Sequence, residues 1–271
     1  MSMPDFCPGY VKAPFKDLAA NYPDETAYPF ADFRVEWGPI FHRGRLDGSA
    51  RVLAIGQDPG QHENVLRRIL SGEAGRRVQG FLAKVGITKS YVLINALLYS
   101  VYGSNGAKYV AKSGVRDYRN EWIAGILAPG KVEAVVTFGA MAKKAWTEYT
   151  KVNGVPSGVL VANLTHPTFP ESAGGTAAEK KANTKKMLTE WNGALQALHP
   201  AVAHKDAPGT PLSLYGDGFV DSDKVDIPSI DLPAGTPVWM YDNDGWAQRK
   251  GTTDLAKRRN ITVTVPDGVV P

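Results

Sequence analysis

The 271-residue chain has one cysteine, Cys7. A single thiol excludes an internal disulfide, a cysteine-rich zinc site and an iron–sulfur cluster held by the chain's own thiolates. A long apolar run is missing too. The uncharged stretch from Tyr91 to Ala107 is interrupted by Asn95, Ser100, Gly103, Ser104 and Asn105, and is too polar to cross a bilayer. The segment Met1 to Pro14 lacks a basic start followed by an apolar core, so no secretory leader is expected. No complete phosphate-binding loop and no G-x-S-x-G elbow occur, which counts against nucleoside triphosphate chemistry and a serine hydrolase. The expectation is a soluble, cytoplasmic, monomeric protein with no metal, no cofactor and no membrane association. The net charge of +4 permits a polyanionic partner without demanding one. Six Trp, eleven Tyr and nine Phe provide for a sizeable core.

From Arg51 onward the pattern becomes regular. Arg51–Ile55, Tyr91–Leu97, Glu133–Phe138 and Gly158–Leu164 are short apolar runs that read as buried strands. Between them, Val78, Phe81, Leu82 and Val85 fall at helical spacing, as do Trp122, Ile123, Ile126 and Leu127, with Asp117 as a possible cap. Ala142, Ala145, Trp146 and Tyr149 repeat the spacing, and Thr184 to Leu198 mark a longer helix closed by Pro200. Apolar strands alternating with helices predict an α/β fold, a three-layer α/β/α sandwich around a central four-stranded parallel sheet. The expected catalytic domain spans 1–200, with 1–50 a lead-in of loops and short helices. Residues 201–211 read as a linker. Residues 212–271 read as a small β-rich appendage, from Val238–Tyr241, the turn-like Asp242–Gly245 and Ile261–Val265.

Ligands of such sheets bind at the carboxyl ends of the strands, and three segments fall there. Gly56-Gln57-Asp58-Pro59-Gly60-Gln61-His62-Glu63 follows the first strand; Asp, Pro and Gly also form turns for steric reasons alone. Asn95 sits inside an apolar strand, where its amide must find partners. It reads either as a structural tie or as a donor–acceptor pair matching a pyrimidine edge. Asn163 to Pro170 closes the fourth strand and carries His166 in a stiff loop, as a site residue or a surface cap.

Taken together, these segments resemble the uracil-DNA glycosylase superfamily from about Arg51 to Leu198. Its best-known branch has GQDPYH after a strand, where this chain has GQDPG. That branch also has an Asn in an apolar strand, here Asn95, and a late His-Pro-Ser/Thr loop, here His166-Pro167-Thr168. Gly60 stands where that branch has a Tyr that bars the thymine methyl. A Gly at that point, and the stretch Arg68 to Gly75, are similar to the iron–sulfur branch, yet the four cluster cysteines are absent. Leu70 falls where relatives carry a Phe that stacks on uracil.

The resemblance implies hydrolysis of the bond between uracil and deoxyribose in DNA, without metal or cofactor. Asp58 would supply the anion near the sugar and His166, as a neutral imidazole, would donate to uracil O2. Gln57, Asn95, Leu70, Gly60 and Glu63 would line the base pocket, with Asn95 reading the uracil edge and Glu63 filling the space left by Gly60. Phe169 would wedge into the duplex where the base is extruded, with Thr168 and Pro170 beside it. Lys108 and Lys112 would meet phosphates, with Arg116, the α-helical Lys180, Lys181, Lys185 and Lys186, and Arg258 and Arg259 as further contacts. The alternatives are a glycosylase for another base (thymine in a mismatch, hypoxanthine or xanthine) and a non-catalytic binder of abasic sites.

Overall fold

The computed structural model describes residues 10–102 and 105–269; Cys7 lies outside the described residues. In chain order, helix α1 (Phe15–Ala20) precedes strand β1 (Arg43–Gly44) and strand β2 (Val52–Gly56). Helices α2 (Gln61–Leu66) and α3 (Glu73–Val85) lead to β3 (Tyr91–Asn95), then α4 (Ser113–Leu127), β4 (Ala134–Phe138), α5 (Ala140–Asn153) and β5 (Leu160–Leu164). Helices α6 (Phe169–Ser172) and α7 (Ala177–Ala201) follow. The C-terminal segment holds strand β6 (Ala247–Gln248), helix α8 (Asp254–Arg259) and strand β7 (Thr262–Val263).

The sheet has five strands in the order β1-β3-β2-β4-β5. Strands β3, β2, β4 and β5 are parallel, as the apolar runs require, and the two-residue β1 adds an antiparallel edge. The four-stranded expectation is corrected on this point: Arg43 and Gly44 pair with Leu93 and Val92, and two residues are too few to leave an apolar signature. Alternation along β2 divides the core. Leu53 and Ile55 pack with α1, α4 and α5 on one face, and Val52 and Ala54 pack with α3 and α7 on the other. The fourth apolar run is an edge strand, with Leu160 and Val161 largely exposed. Asp117 lies inside α4 rather than at its cap, which is Lys112.

Because the chain leaves β2 toward β3 on one side and later returns to β4 on the other, β2 ends at a topological switch point, where crevices form in such sheets. Gly56 terminates β2 beside Asn95 at the end of β3. A Cβ on Gly56 would stand 2.3 Å from Asn95 Oδ1, so only glycine admits that approach.

The C-terminal segment differs from the expected β appendage. Val238–Met240 form a short 3-10 turn rather than a strand, and regular pairing is limited to two residues each of β6 and β7. Three prolines in residues 228–237 interrupt any continuous ladder. The segment lies against the sandwich. Asp231 accepts from the fully buried Arg43 (Nη1–Oδ2 3.0 Å) and from the Tyr91 hydroxyl. Asp223 pairs with Lys84 at 3.0 Å, and Ile227, Leu232 and Trp246 bury against Leu66. In the stretch expected as a linker, Asp206 Oδ2 accepts the backbone N–H groups of Thr88, Lys89 and Ser90, each at 2.8 Å.

Candidate active site

The Asp58 loop is braced from several sides. Ser100 Oγ donates to Pro59 O at 2.6 Å, Ala96 N and Leu97 N donate to the carbonyls of Gly56 and Gln57, and Val101 N donates to Asp58 Oδ2 at 3.3 Å. That single long hydrogen bond leaves the carboxylate poorly compensated. Burial pushes Asp58 up from 3.8 to about 6, with the Glu63 carboxylate adding to the rise, while the Val101 N–H and Arg249 oppose it. Gln57 is oriented by Met141 N–H donating to its Oε1 at 3.2 Å.

Glu63 is buried although it is an acid in the first turn of α2. Its Oε1 accepts from Ser71 N at 3.1 Å. Its Oε2 lies 2.7 Å from where a Cβ on Gly60 would stand, so the carboxylate fills the room that a side chain at 60 would take. Leu70 has a positive φ of 51°, an unusual backbone state for a branched residue. A Cβ on Gly75 would overlap its carbonyl oxygen at 1.6 Å, so the tight chain reversal at Leu70 depends on that glycine. The bend brings Leu70 Cδ1 to 3.6 Å from the Cβ position above Gly56, alongside Asn95. Asn95 is buried, and its Oδ1 has no hydrogen-bond partner among the described residues. A native buried acceptor without a partner calls for one, and a ligand N–H is such a partner.

His166 follows β5. Thr168 donates to its Nδ1 from the backbone N at 3.4 Å, and the Thr168 hydroxyl lies 3.2 Å away. An accepting Nδ1 places the ring proton on Nε2. Burial, followed by the nearby Arg77 charge, holds His166 down at about 4, so the ring is neutral at pH 7. Arg77 also fixes the loop: Nη1 donates to Pro167 O at 2.7 Å and Nη2 to Glu171 at 2.8 Å. Phe169, 42% exposed, is not packed beneath the loop, whereas Pro170 is buried.

A cleft of about 670 Å³ opens at the carboxyl ends of β2, β4 and β5, and Gln57, Gly139, Asn163, His166 and Phe169 line it together with Lys143 and Lys186. The first and third sequence segments therefore share one cleft. Asp58 and Asn95 do not line it. Asn95 instead borders a small internal cavity with Tyr28, Phe41, Tyr118 and Trp122, and Leu70 covers the strand end beside it. Of the expected phosphate ligands, Lys108 pairs with Asp32 at 2.9 Å, Lys112 lies over the Tyr109 ring at 4.2 Å, and Lys185 pairs with Asp217. Arg116 pairs with Asp117. Arg259 is exposed, and the side chain of Arg258 lies outside the described residues. Sequence reasoning missed Lys143 and Arg77. Lys143 could have been found from its place just after β4; Arg77 could not, because its partner Pro167 is 90 positions away. Among the described residues no group of His, Cys, Asp and Glu could hold a metal ion, and no helix is long and apolar enough to cross a membrane.

The family model of the uracil DNA glycosylase superfamily matches residues 43–204, well over half of the chain. The chain belongs to the uracil DNA glycosylase superfamily. Comparison with curated proteins yields no match. The matched span holds the whole sheet and every candidate residue from Gln57 to Pro170. Superfamily membership carries glycosylase activity on damaged DNA bases. The segment after residue 204, with β6, α8 and β7, lies outside the match.

Proposed function

We propose that the protein removes uracil from DNA by hydrolysing the bond between uracil N1 and deoxyribose C1′, leaving an abasic site. The observation that carries this reading is the arrangement at two strand ends: a carboxylate at Asp58 whose one hydrogen bond among the described residues is a long one from Val101 N, and an imidazole at His166 whose Nδ1 accepts from Thr168 N, leaving Nε2 as the donor.

Breaking the bond leaves positive charge on the sugar and negative charge on the base. Asp58, ionised above pH 6, stabilises the sugar cation and orients the water whose oxygen bonds to C1′; the released proton passes to the carboxylate or to solvent. His166 Nε2–H donates to uracil O2 as the bonding pair moves onto the base. A neutral donor serves here without bringing a second cation into a buried site. Asn95 borders the internal cavity rather than the cleft, so its unpartnered Oδ1 would accept from uracil N3–H only once the Leu70 side chain beside it moves aside. Cytosine has no proton at N3, so the same acceptor would face a lone pair, an arrangement that discriminates strongly. The Glu63 carboxylate beside Gly60 occupies the space a thymine methyl would need. Leu70 offers an aliphatic cover for the base and must shift for it to enter. The exposed Phe169 at the rim of the cleft is placed to fill the gap left by an extruded nucleotide. Lys143 and Lys186 add positive charge along the cleft.

A panel of duplexes, each with one altered base, tests the substrate. Uracil is expected to be released fastest; faster release of hypoxanthine, xanthine or mismatched thymine would overturn the assignment. Tight binding of abasic DNA with no release of any base would favour a non-catalytic binder.

A further inference from the structure

We propose that Phe219 is a positioning residue for His166, acting through Arg77 and Trp191, so that the C-terminal segment forms part of the catalytic apparatus. The proposal rests on reading His166 as the donor to the leaving base.

The backbone is gripped on both sides of His166. On the N-terminal side, Trp191 Nε1 donates to Thr165 O at 3.2 Å, and Glu190 accepts from Thr165 N at 2.6 Å and from the Thr165 hydroxyl at 2.7 Å. On the C-terminal side, Arg77 Nη1 donates to Pro167 O at 2.7 Å. The planar fork of Arg77 directs its other N–H groups at two carboxylates: Nε meets Glu73 at 2.9 Å and Nη2 meets Glu171 at 2.8 Å. Arg77 comes from α3 and Trp191 from α7, so neither grip belongs to the loop that it holds.

Phe219 packs on both grips. The Arg77 guanidinium carbon lies 4.3 Å from the centre of its ring, and the centre of the Trp191 ring lies 6.0 Å away, edge to face. A ring face over a guanidinium attracts it and keeps water from that side, without competing for the N–H groups in the plane. The Arg77 side chain is accordingly 7% exposed. Trp191 is fully buried, and Tyr215 of the same segment closes on it at 5.8 Å. A second tie runs from the segment to the fork: Lys224 Nζ lies 2.9 Å from the Glu73 oxygen that Arg77 holds. Phe219 lies beyond residue 204, outside the family match, whereas Arg77, His166 and Trp191 lie within it. The loop that carries the reacting imidazole is therefore packed from a part of the chain that the family model does not include. The charged groups around His166 are Arg77 from α3, Glu171 from α6, Lys143 from α5, and Lys186 and Glu190 from α7. Arg77 opposes protonation of the ring and Glu171 favours it. Covered by Phe219, the Arg77 charge acts on the ring with less screening by water.

The test uses the full-length protein. Phe219→Leu keeps apolar bulk but removes the ring face, Phe219→Tyr keeps the face, and Arg77→Lys keeps the charge but loses the fork. Steady-state release of uracil from a duplex, and titration of the His166 ring by NMR of labelled histidine, are measured at a temperature where each variant is folded. Phe219→Leu is expected to lower kcat about tenfold with KM within about twofold of the wild type, as for a small displacement of a group that acts in the transition state. Its His166 should titrate above the wild-type value of about 4. Phe219→Tyr should recover both properties. Arg77→Lys should lower kcat at least as far as Phe219→Leu, with duplex affinity kept. Wild-type kcat and titration in Phe219→Leu would overturn the proposal and leave the ring as packing alone. Equal impairment in Phe219→Tyr, or an unchanged kcat in Arg77→Lys, would overturn it as well. So would a raised KM at unchanged kcat, which would assign the segment to DNA binding. The titration needs no substrate, so a wild type that releases no uracil sinks the functional reading while the His166 titration still decides the hold of Phe219 on the loop.

Discussion

Replacing Asp58 with Asn should make the protein more stable at neutral pH while disabling it. Burial raises the carboxyl from 3.8 to about 6. Between those values the folded protein keeps a proton that the unfolded chain has released, so folding loses stability as pH rises through the window. At about 1.36 kcal/mol per pKa unit, the full loss is about 3 kcal/mol, complete above pH 7. An Asn is neutral throughout and its Oδ1 can still accept from Val101 N. The variant should therefore gain about 1 kcal/mol over the wild type at pH 4.5 and about 3 kcal/mol at pH 8. Urea unfolding of both proteins at a series of pH values measures the difference directly. A difference that stays flat with pH, or a variant less stable than the wild type at pH 8, would refute the desolvated-carboxylate account.

His166→Ala should lower kcat for base release by about 10²–10³-fold, as for the loss of one preorganised donor, with duplex affinity little changed in a binding titration. Because His166 is held at about 4 and Asp58 at about 6, kcat/KM should rise with pH through about 6 and then stay level to pH 8; a descending limb between pH 6 and 8 would speak against a neutral imidazole. Glu63→Ala should raise thymine release relative to uracil by about 10–200-fold, the usual value of one methyl group in a pocket, in a mixed-substrate assay. Asp231→Ala strands the buried Arg43 and should cost about 3–5 kcal/mol in thermal or chemical unfolding; a loss under 1 kcal/mol would mean the C-terminal segment is dispensable for the sandwich.

The parallel strands were legible because their apolar runs, closed by Gly56 and Gly139, have no other stable use in a chain of this composition. Helix α3 was legible from Val78, Phe81, Leu82 and Val85, all of them buried. Strand β1 was not, since two residues carry no periodicity. The C-terminal segment misled because Val238-Trp239-Met240 has strand-like composition, while Pro237 and the local packing of Trp239 against Trp246 hold it as a turn. At the site, Gln57 and His166 could be placed from their strand ends. That Asp58 and Asn95 do not line the open cleft was not legible, because it depends on contacts between distant segments, such as the approach of Asn95 to Gly56.

The most direct test is release of free uracil from an oligonucleotide duplex with a single uracil, by purified wild-type protein and its Asp58→Asn variant, at pH 8 with chelator present. The account expects stoichiometric uracil and alkali-labile sites from the wild type, and a rate at least 10²-fold lower from the variant. Equal release by both proteins, or no release by the wild type, would contradict it.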